Sequence, residues 1–285
     1  MDFTTSINFC HIVPTPHLEE LTKTNGSHLI LAHLIDPTFN VGVMYNQAYT
    51  DYYRDLDDGK YVMMDNSAFE MVKHNGGVMY QPERLIEMGK RVNADCIVLS
   101  DYPAEPWEKT RDMAIKQIPQ FKEAGFDTFY VPQSEIGDLE GYIQSIEWAL
   151  DNEDIDVIGI SILGVPNAFG GIEKDNKLQR FLARWRMMNL LQERGILDGR
   201  ATKRLHFLGM LDGPREIELV KNFQWAIRSW DTSSAPWAGL NGVAYDETPT
   251  GLIDGKFEKE VDFDFAGGDV ELAKQNIAFI DKMVK

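Results

Sequence analysis

The sequence of 285 residues predicts a (β/α)8 TIM barrel. Three observations carry this expectation: short apolar runs recur about eight times, longer helical stretches separate them, and several runs end in a polar or acidic residue. The runs are Ile7–Val13, Leu29–Ile35, Tyr61–Met64, Cys96–Leu99, Thr128–Val131, Val157–Ile162, Leu205–Met210 and Ala226–Trp230. They are rich in Val, Ile, Leu and aromatic residues with little polar alternation, as strands buried on both faces require. Between them, Gln81–Val92 carries Leu85, Ile86, Met88 and Val92 at helical spacing, with Pro82 near its start, where a missing N–H costs little. Trp107–Ala124 carries Met113, Ile115, Ile118 and Phe121 before Gly125, and Pro119 inside it predicts a kink or break. Leu178–Glu193 and the shorter Glu216–Asn222 complete the helical set. No GxGxxG follows the first run, which argues against a dinucleotide-binding sheet.

With 44% hydrophobic residues and no Pro/Ser-rich linker, residues 1–285 are expected to form one barrel domain. The net charge of −17 opposes non-specific nucleic-acid binding. Any nucleic-acid substrate would need basic groups gathered at one mouth. The candidates are Lys174, Lys177, Arg180, Arg184, Lys203 and Arg204, with Arg186 and Arg200 in the same stretch; an exposed helix face of mixed charge is the plainer reading. The two cysteines, Cys10 and Cys96, form neither a CxxC pair nor a disulfide framework, and Cys96 lies in an apolar run that predicts a buried thiol. His17-Leu18-Glu19 lacks the Pro-Cys-x-x-Cys half of a deaminase signature. No metal and no cofactor is therefore expected. No secretory leader and no apolar run of ~18 residues is seen, so a cytoplasmic protein is expected.

In a barrel the C-terminal strand ends converge on one mouth. That mouth would gather Asp65, Asp101, Asp231 and Gln133, with glycine-lined backbone at Gly159 and Gly209. Three carboxylates permit divalent-metal binding, or acid/base and nucleophilic work on a glycosidic centre. Each aspartate alone could instead cap the following helix. His206 reads as a packed core histidine rather than a ligand, and so does His33; Trp185, Trp225, Trp230 and Trp237 read as packing residues.

The strings Met64-Asp65-Asn66-Ser67-Ala68-Phe69-Glu70, Ser100-Asp101-Tyr102-Pro103, Val131-Pro132-Gln133, Ile158-Gly159-Ile160-Ser161, His206-Phe207-Leu208-Gly209-Met210 and Trp230-Asp231-Thr232-Ser233-Ser234 resemble, in order, motifs of the tRNA-guanine transglycosylase superfamily. The chain departs from the tRNA enzymes in lacking the cysteines of their zinc-binding subdomain and in replacing the glycine of the first motif around Asn66-Ser67-Ala68. Its end is short and acidic, with Asp246, Glu247, Asp262 and Asp264. It looks closer to the compact, phage-associated relatives that insert 7-deazaguanine bases into DNA. The resemblance implies that Asp231 is the nucleophile and Asp65 the general acid/base. It also implies that Asp101, Gln133 and Gly159 bind the base, with Gly209 nearby and Phe69 and Met210 sandwiching its ring. The implied partners are DNA, with tRNA as the alternative, and the free 7-deazaguanine base; the acidic balance leaves room for partner proteins to add contacts. The alternative chemistry is that of a metal-dependent barrel hydrolase.

Overall fold

A computed structural model describes residues 7–38, 45–170, 177–198, 203, 205–210, 213–245 and 260–284, with Lys177 described by its backbone alone. The first half runs β1 (Asn8–His11), α1 (Leu18–Leu21), β2 (His28–Leu31), α2 (Ala32–Ile35), α3 (Gln47–Asp55), β3 (Val62–Asp65), α4 (Ala68–His74), α5 (Pro82–Arg91) and β4 (Cys96–Val98). It continues through α6 (Trp107–Glu123), β5 (Asp127–Tyr130), α7 (Leu139–Asp151), β6 (Val157–Ser161), α8 (Gly164–Ala168), α9 (Lys177–Glu193), β7 (Leu205–Leu208) and α10 (Glu216–Leu219). A 3-10 turn over Lys221–Ala226, β8 (Ile227–Thr232), α11 (Ser234–Leu240) and α12 (Val270–Met283) follow.

All the strands pair in parallel, in the order β1-β8-β7-β6-β5-β4-β3-β2. Helices intervene, so the architecture is a (β/α)8 barrel, nearly closed, with β1 lying beside β2. Strand alternation sorts the apolar residues into two layers. Cys10, Leu29, Met63, Cys96, Val98, Phe129, Val131 and Val157 pack together as one cluster inside the barrel. Ile30, Met64, Ile97, Tyr130, Ile158 and Phe207 face the helices. Among the described residues no helix is long and apolar enough to cross a membrane.

Two elements differ from their sequence reading. The run Leu29–Ile35 is not one strand: β2 ends at Leu31 and a helical turn takes over. An uninterrupted apolar run fits a buried helical turn as well as a strand. Pro119 does not break α6. The carbonyl that loses its donor belongs to Ile115, which is exposed, so water can serve it.

Helix α11 lies directly on α12, and Gly239 makes the close approach possible. A Cβ there would fall inside contact distance of the Ala273 backbone, which cannot step aside as a flexible side chain would. Gly239→Ala is expected to destabilise the fold by about 1–3 kcal/mol, the usual cost of overpacking. Urea unfolding checks this, and an unchanged midpoint would show that the two helices separate freely.

Candidate active site at the barrel mouth

Asp65 and Asp231 occupy inward-facing positions on β3 and β8. Asp65 stands two residues beyond the interior Met63, and Asp231 pairs in register with the interior Cys10. The Asp231 carboxylate does not cap a helix. Its Oδ1 accepts from the ring Nε2 of His206 and from the backbone N–H of Gly209, both at 3.0 Å. The other ring nitrogen of His206 lies 2.7 Å from Ser229 Oγ, which fixes the ring between β7 and β8. Oδ2 of Asp231 has no hydrogen bond among the described residues, although the residue is only 5% exposed. The packed-core reading of His206 was right about burial and missed its partner. The available signal was spacing: His206 and Asp231 each stand two residues from another polar or inward position on neighbouring strands, His206 opposite Ser229.

Asp65 is held by a local turn, its Oδ1 accepting from the Ser67 N–H at 2.5 Å. Burial raises its carboxyl well above the usual range, and the charges of Glu70, Asp101 and Asp231 push the same way against the Ser67 N–H. Ser67 stands in the left-handed region, φ 58°, a conformation for which glycine is the usual choice. Its Oγ lies 2.9 Å from His33 Nδ1 and accepts from the His33 N–H. His33 is therefore buried, as read from the sequence, but it braces the turn that aims Asp65. Burial keeps it neutral, with its pKa lowered to about 4.

Asp101 and Gln133 meet in a second cluster. Asp101 Oδ2 accepts from Gln133 Nε2 at 2.6 Å, and Oδ1 accepts from Asn66 Nδ2 at 2.9 Å. Asn66 also donates to the Leu99 carbonyl and accepts from the Ala68 N–H, so one side chain ties β3 to β4. Burial raises Asp101 to about 6 against these two donors. Gln133 Oε1 is buried with no hydrogen-bond partner among the described residues, an acceptor open to a donor. A separate cavity of about 190 Å³ lies behind this cluster, lined by Tyr80, Ser100, Tyr102 and Gln117.

Several expected site residues stand elsewhere. Gly159 lies inside the β6 ladder, two residues before the strand's end, not at the rim. Its missing Cβ leaves room for Leu208 and Phe129, both 2.7 Å from where that atom would be. Met210 is buried in the main core, and Phe69 is 54% exposed on α4. Arg184 is not a nucleic-acid contact: it is completely buried and paired with Glu216. Lys203 precedes β7, at the opposite end of the barrel from the mouth, and donates to the carbonyls of Ala149 and Asn152. Arg180 is half-buried, while Arg186 is exposed over the Phe169 ring. Lys174, Arg200, Arg204, Asp246, Glu247 and the Lys177 side chain lie outside the described residues. Of the tryptophans, Trp230 and Trp237 are buried and Trp185 is 39% exposed.

No protein-family model matches the chain, and no curated protein matches it. Among solved structures, the tryptophan synthase subunit alpha from Legionella pneumophila str. Paris aligns with TM-score 0.53 and 10% identity, covering 98% of this chain and 93% of that one. The citrate lyase beta subunit from M. tuberculosis, complexed with oxaloacetate and magnesium, aligns with TM-score 0.47 and 12% identity, over 81% and 93%. The first likeness is one of fold. It agrees with the barrel read from the strand ladder and leaves the chemistry to the side chains.

Glu70 offers a test of the mouth's electrostatics. Burial raises it to about 7 from an ordinary 4.5, and His33 Nδ1 lies 3.8 Å away. A raised carboxyl favours the folded state while it keeps its proton. Its contribution is complete below pH 4.5 and is lost as pH rises through 7. Glu70→Gln, which cannot ionise, should therefore match the wild type near pH 4. It should exceed the wild type in stability by on the order of 2–3 kcal/mol at pH 8. Equal pH dependence of the two melting temperatures would mean that Glu70 ionises freely.

Proposed function

We propose that the protein exchanges a guanine-type base in a nucleic acid through a covalent intermediate on Asp231, inserting a 7-deazaguanine. The observation that carries this reading is the contrast between two carboxyls at one mouth. Asp231 has one oxygen held by two donors and the other without a hydrogen bond among the described residues, whereas burial and neighbouring charge raise the Asp65 carboxyl well above the usual carboxylate range. A nucleophile and an acid made from the same functional group are what displacement at a glycosidic carbon needs.

In the first step Asp231 Oδ2 attacks C1′, and the C1′–N9 bond to guanine breaks. Asp65 gives the proton that the departing base takes. In the second step N9 of the incoming base attacks C1′, the bond to Asp231 breaks, and the N9 proton returns to Asp65. Asp101 and Gln133 offer the base a carboxylate and an unfilled carbonyl acceptor, a match for ring and exocyclic N–H groups. The target nucleotide must leave its stack to enter, so a single-stranded or flipped substrate is expected.

The sequence motifs and the absence of the zinc-subdomain cysteines favour DNA over tRNA. The loss of Arg184 and Lys203 as contacts leaves less basic surface than the sequence promised. A short strand makes smaller demands on such a surface than a folded tRNA does. Among the described residues no group of three His, Cys, Asp or Glu could hold a metal ion, so the hydrolase alternative gains no support from them.

Incubation with labelled 7-deazaguanine base, with DNA and with total tRNA in separate reactions, tests the function. Label is expected in DNA; label in tRNA alone would reassign the polymer, and label in neither would end the proposal. Asp231→Asn should lower exchange by ~10⁴-fold while leaving the fold intact, because a carboxamide cannot supply the nucleophile.

Base recognition is separable from chemistry. Asp101→Ala should weaken binding of the free base, measured by calorimetry, by about 1.5–3 kcal/mol for a lost charged hydrogen bond. Unchanged affinity would remove Asp101 from the pocket.

A further inference from the structure

Arg184 reaches from α9 to the ends of β6 and β7 and uses every N–H it has. Nε and Nη2 donate to the two carboxylate oxygens of Glu216, each at 2.7 Å. Nη1 donates to the carbonyls of Ile160 at 3.2 Å and Leu208 at 3.1 Å. Nη2 also donates to the Gly209 carbonyl at 2.7 Å. The guanidinium packs against the rings of Phe207 and Trp230, 4.9 and 4.7 Å from their centroids, and the two rings also pack on each other. Glu216 is itself 1% exposed, so the positive charge is cancelled where it stands. Arg184 therefore acts by position, with little field left over to influence the mouth.

What it positions is Gly209. This residue is in the left-handed region, φ 73°, and a Cβ there would stand 2.8 Å from Ile162 Cγ2. Its carbonyl is gripped twice, by Arg184 and by Trp230 Nε1 at 3.0 Å. Its N–H donates to Asp231 Oδ1. Arg184 Nη1 also holds the Leu208 carbonyl, which shares one rigid peptide plane with the Gly209 N–H, so the clamp dictates where that N–H points.

We propose that the Arg184–Glu216 pair is a positioning device for Asp231: it clamps Gly209 so that the N–H holds Oδ1 and leaves Oδ2 for reaction. The inference rests on the reading of Asp231 as the nucleophile, and its test has an arm that does not need that reading. A buried ion pair replaced as a unit by apolar residues of similar size commonly keeps its fold, whereas removing one partner strands the other. The double variant Arg184→Met/Glu216→Leu is therefore the principal probe, and Arg184→Lys, which keeps a charge but loses the fork, is the second.

Amide hydrogen exchange followed by NMR reads the geometry. In the folded double variant the Gly209 N–H should exchange at least ~10-fold faster, while the Phe207 amide in the same strand keeps its protection. Steady-state exchange of labelled 7-deazaguanine base into DNA reads the consequence. kcat should fall about 100-fold with KM for the free base within about twofold, as expected of a misplaced reacting group. Wild-type protection at Gly209, or wild-type kcat in the folded double variant, would overturn the proposal. If the double variant fails to fold, Arg184→Lys is judged by the same two criteria. If the wild type transfers no base, the functional reading falls and the Gly209 amide alone decides whether the clamp exists.

Discussion

A parallel barrel has to close, and the last pair of strands must satisfy its backbone groups like any other. Here β1 and β2 are neighbours without a shared ladder, and side chains together with one backbone hydrogen bond make the closure. The Leu29 N–H donates to Cys10 Sγ at 2.9 Å, and the Asn25 amide accepts from the His11 N–H and donates to its carbonyl. The Gly26 N–H donates to the Phe9 carbonyl where a Cβ at Gly26 would press on Asn8. This seam has consequences for the mouth. Cys10 is in register with Asp231 on one side, and Leu31 with Asp65 on the other. The separation of the two aspartates is therefore fixed across the one junction that no strand ladder holds.

The carboxyls gathered there differ in what surrounds them rather than in type. Asp231 meets two donors, Asp101 meets two side-chain amides, and Asp65 has a single N–H and three negative neighbours. Asp65 stands apart from the other two by having fewer donors among the described residues. Gln133 Oε1, without a partner among the described residues, adds a polar demand next to the carboxylate best supplied with amides.

The barrel was legible because eight apolar runs with helices between them have few alternative arrangements, and because the convergence of strand ends follows from topology. That rule places Asp65, Asp101, Gln133 and Asp231 at the mouth, where Asp65 feels the charges of Asp101 and Asp231 and Gln133 meets Asp101. Residues that act through a partner far along the chain were not. Arg184 looked like one of several basic residues because charge was counted without regard to face. The pattern Phe181, Arg184, Met188, Leu191 places it on the apolar stripe of α9, where an arginine must have a buried partner. Lys203 was misplaced for a different reason: it precedes its strand, so it belongs to the barrel's other end. Gly159 was read as glycine-lined backbone at the mouth, whereas it lies within β6 and opens space inside the barrel for Leu208 and Phe129.

Ser67 takes a backbone conformation for which glycine is the usual choice. A left-handed non-glycine residue costs on the order of 1 kcal/mol, which a glycine would recover. The hydroxyl that meets His33 is what would be lost. The position thus sits at a fork in sequence space, with a relaxed turn on one branch and a braced one on the other. A lineage that takes the relaxed branch frees position 33 from needing a histidine, so residues 33 and 67 should drift as a pair and not one at a time.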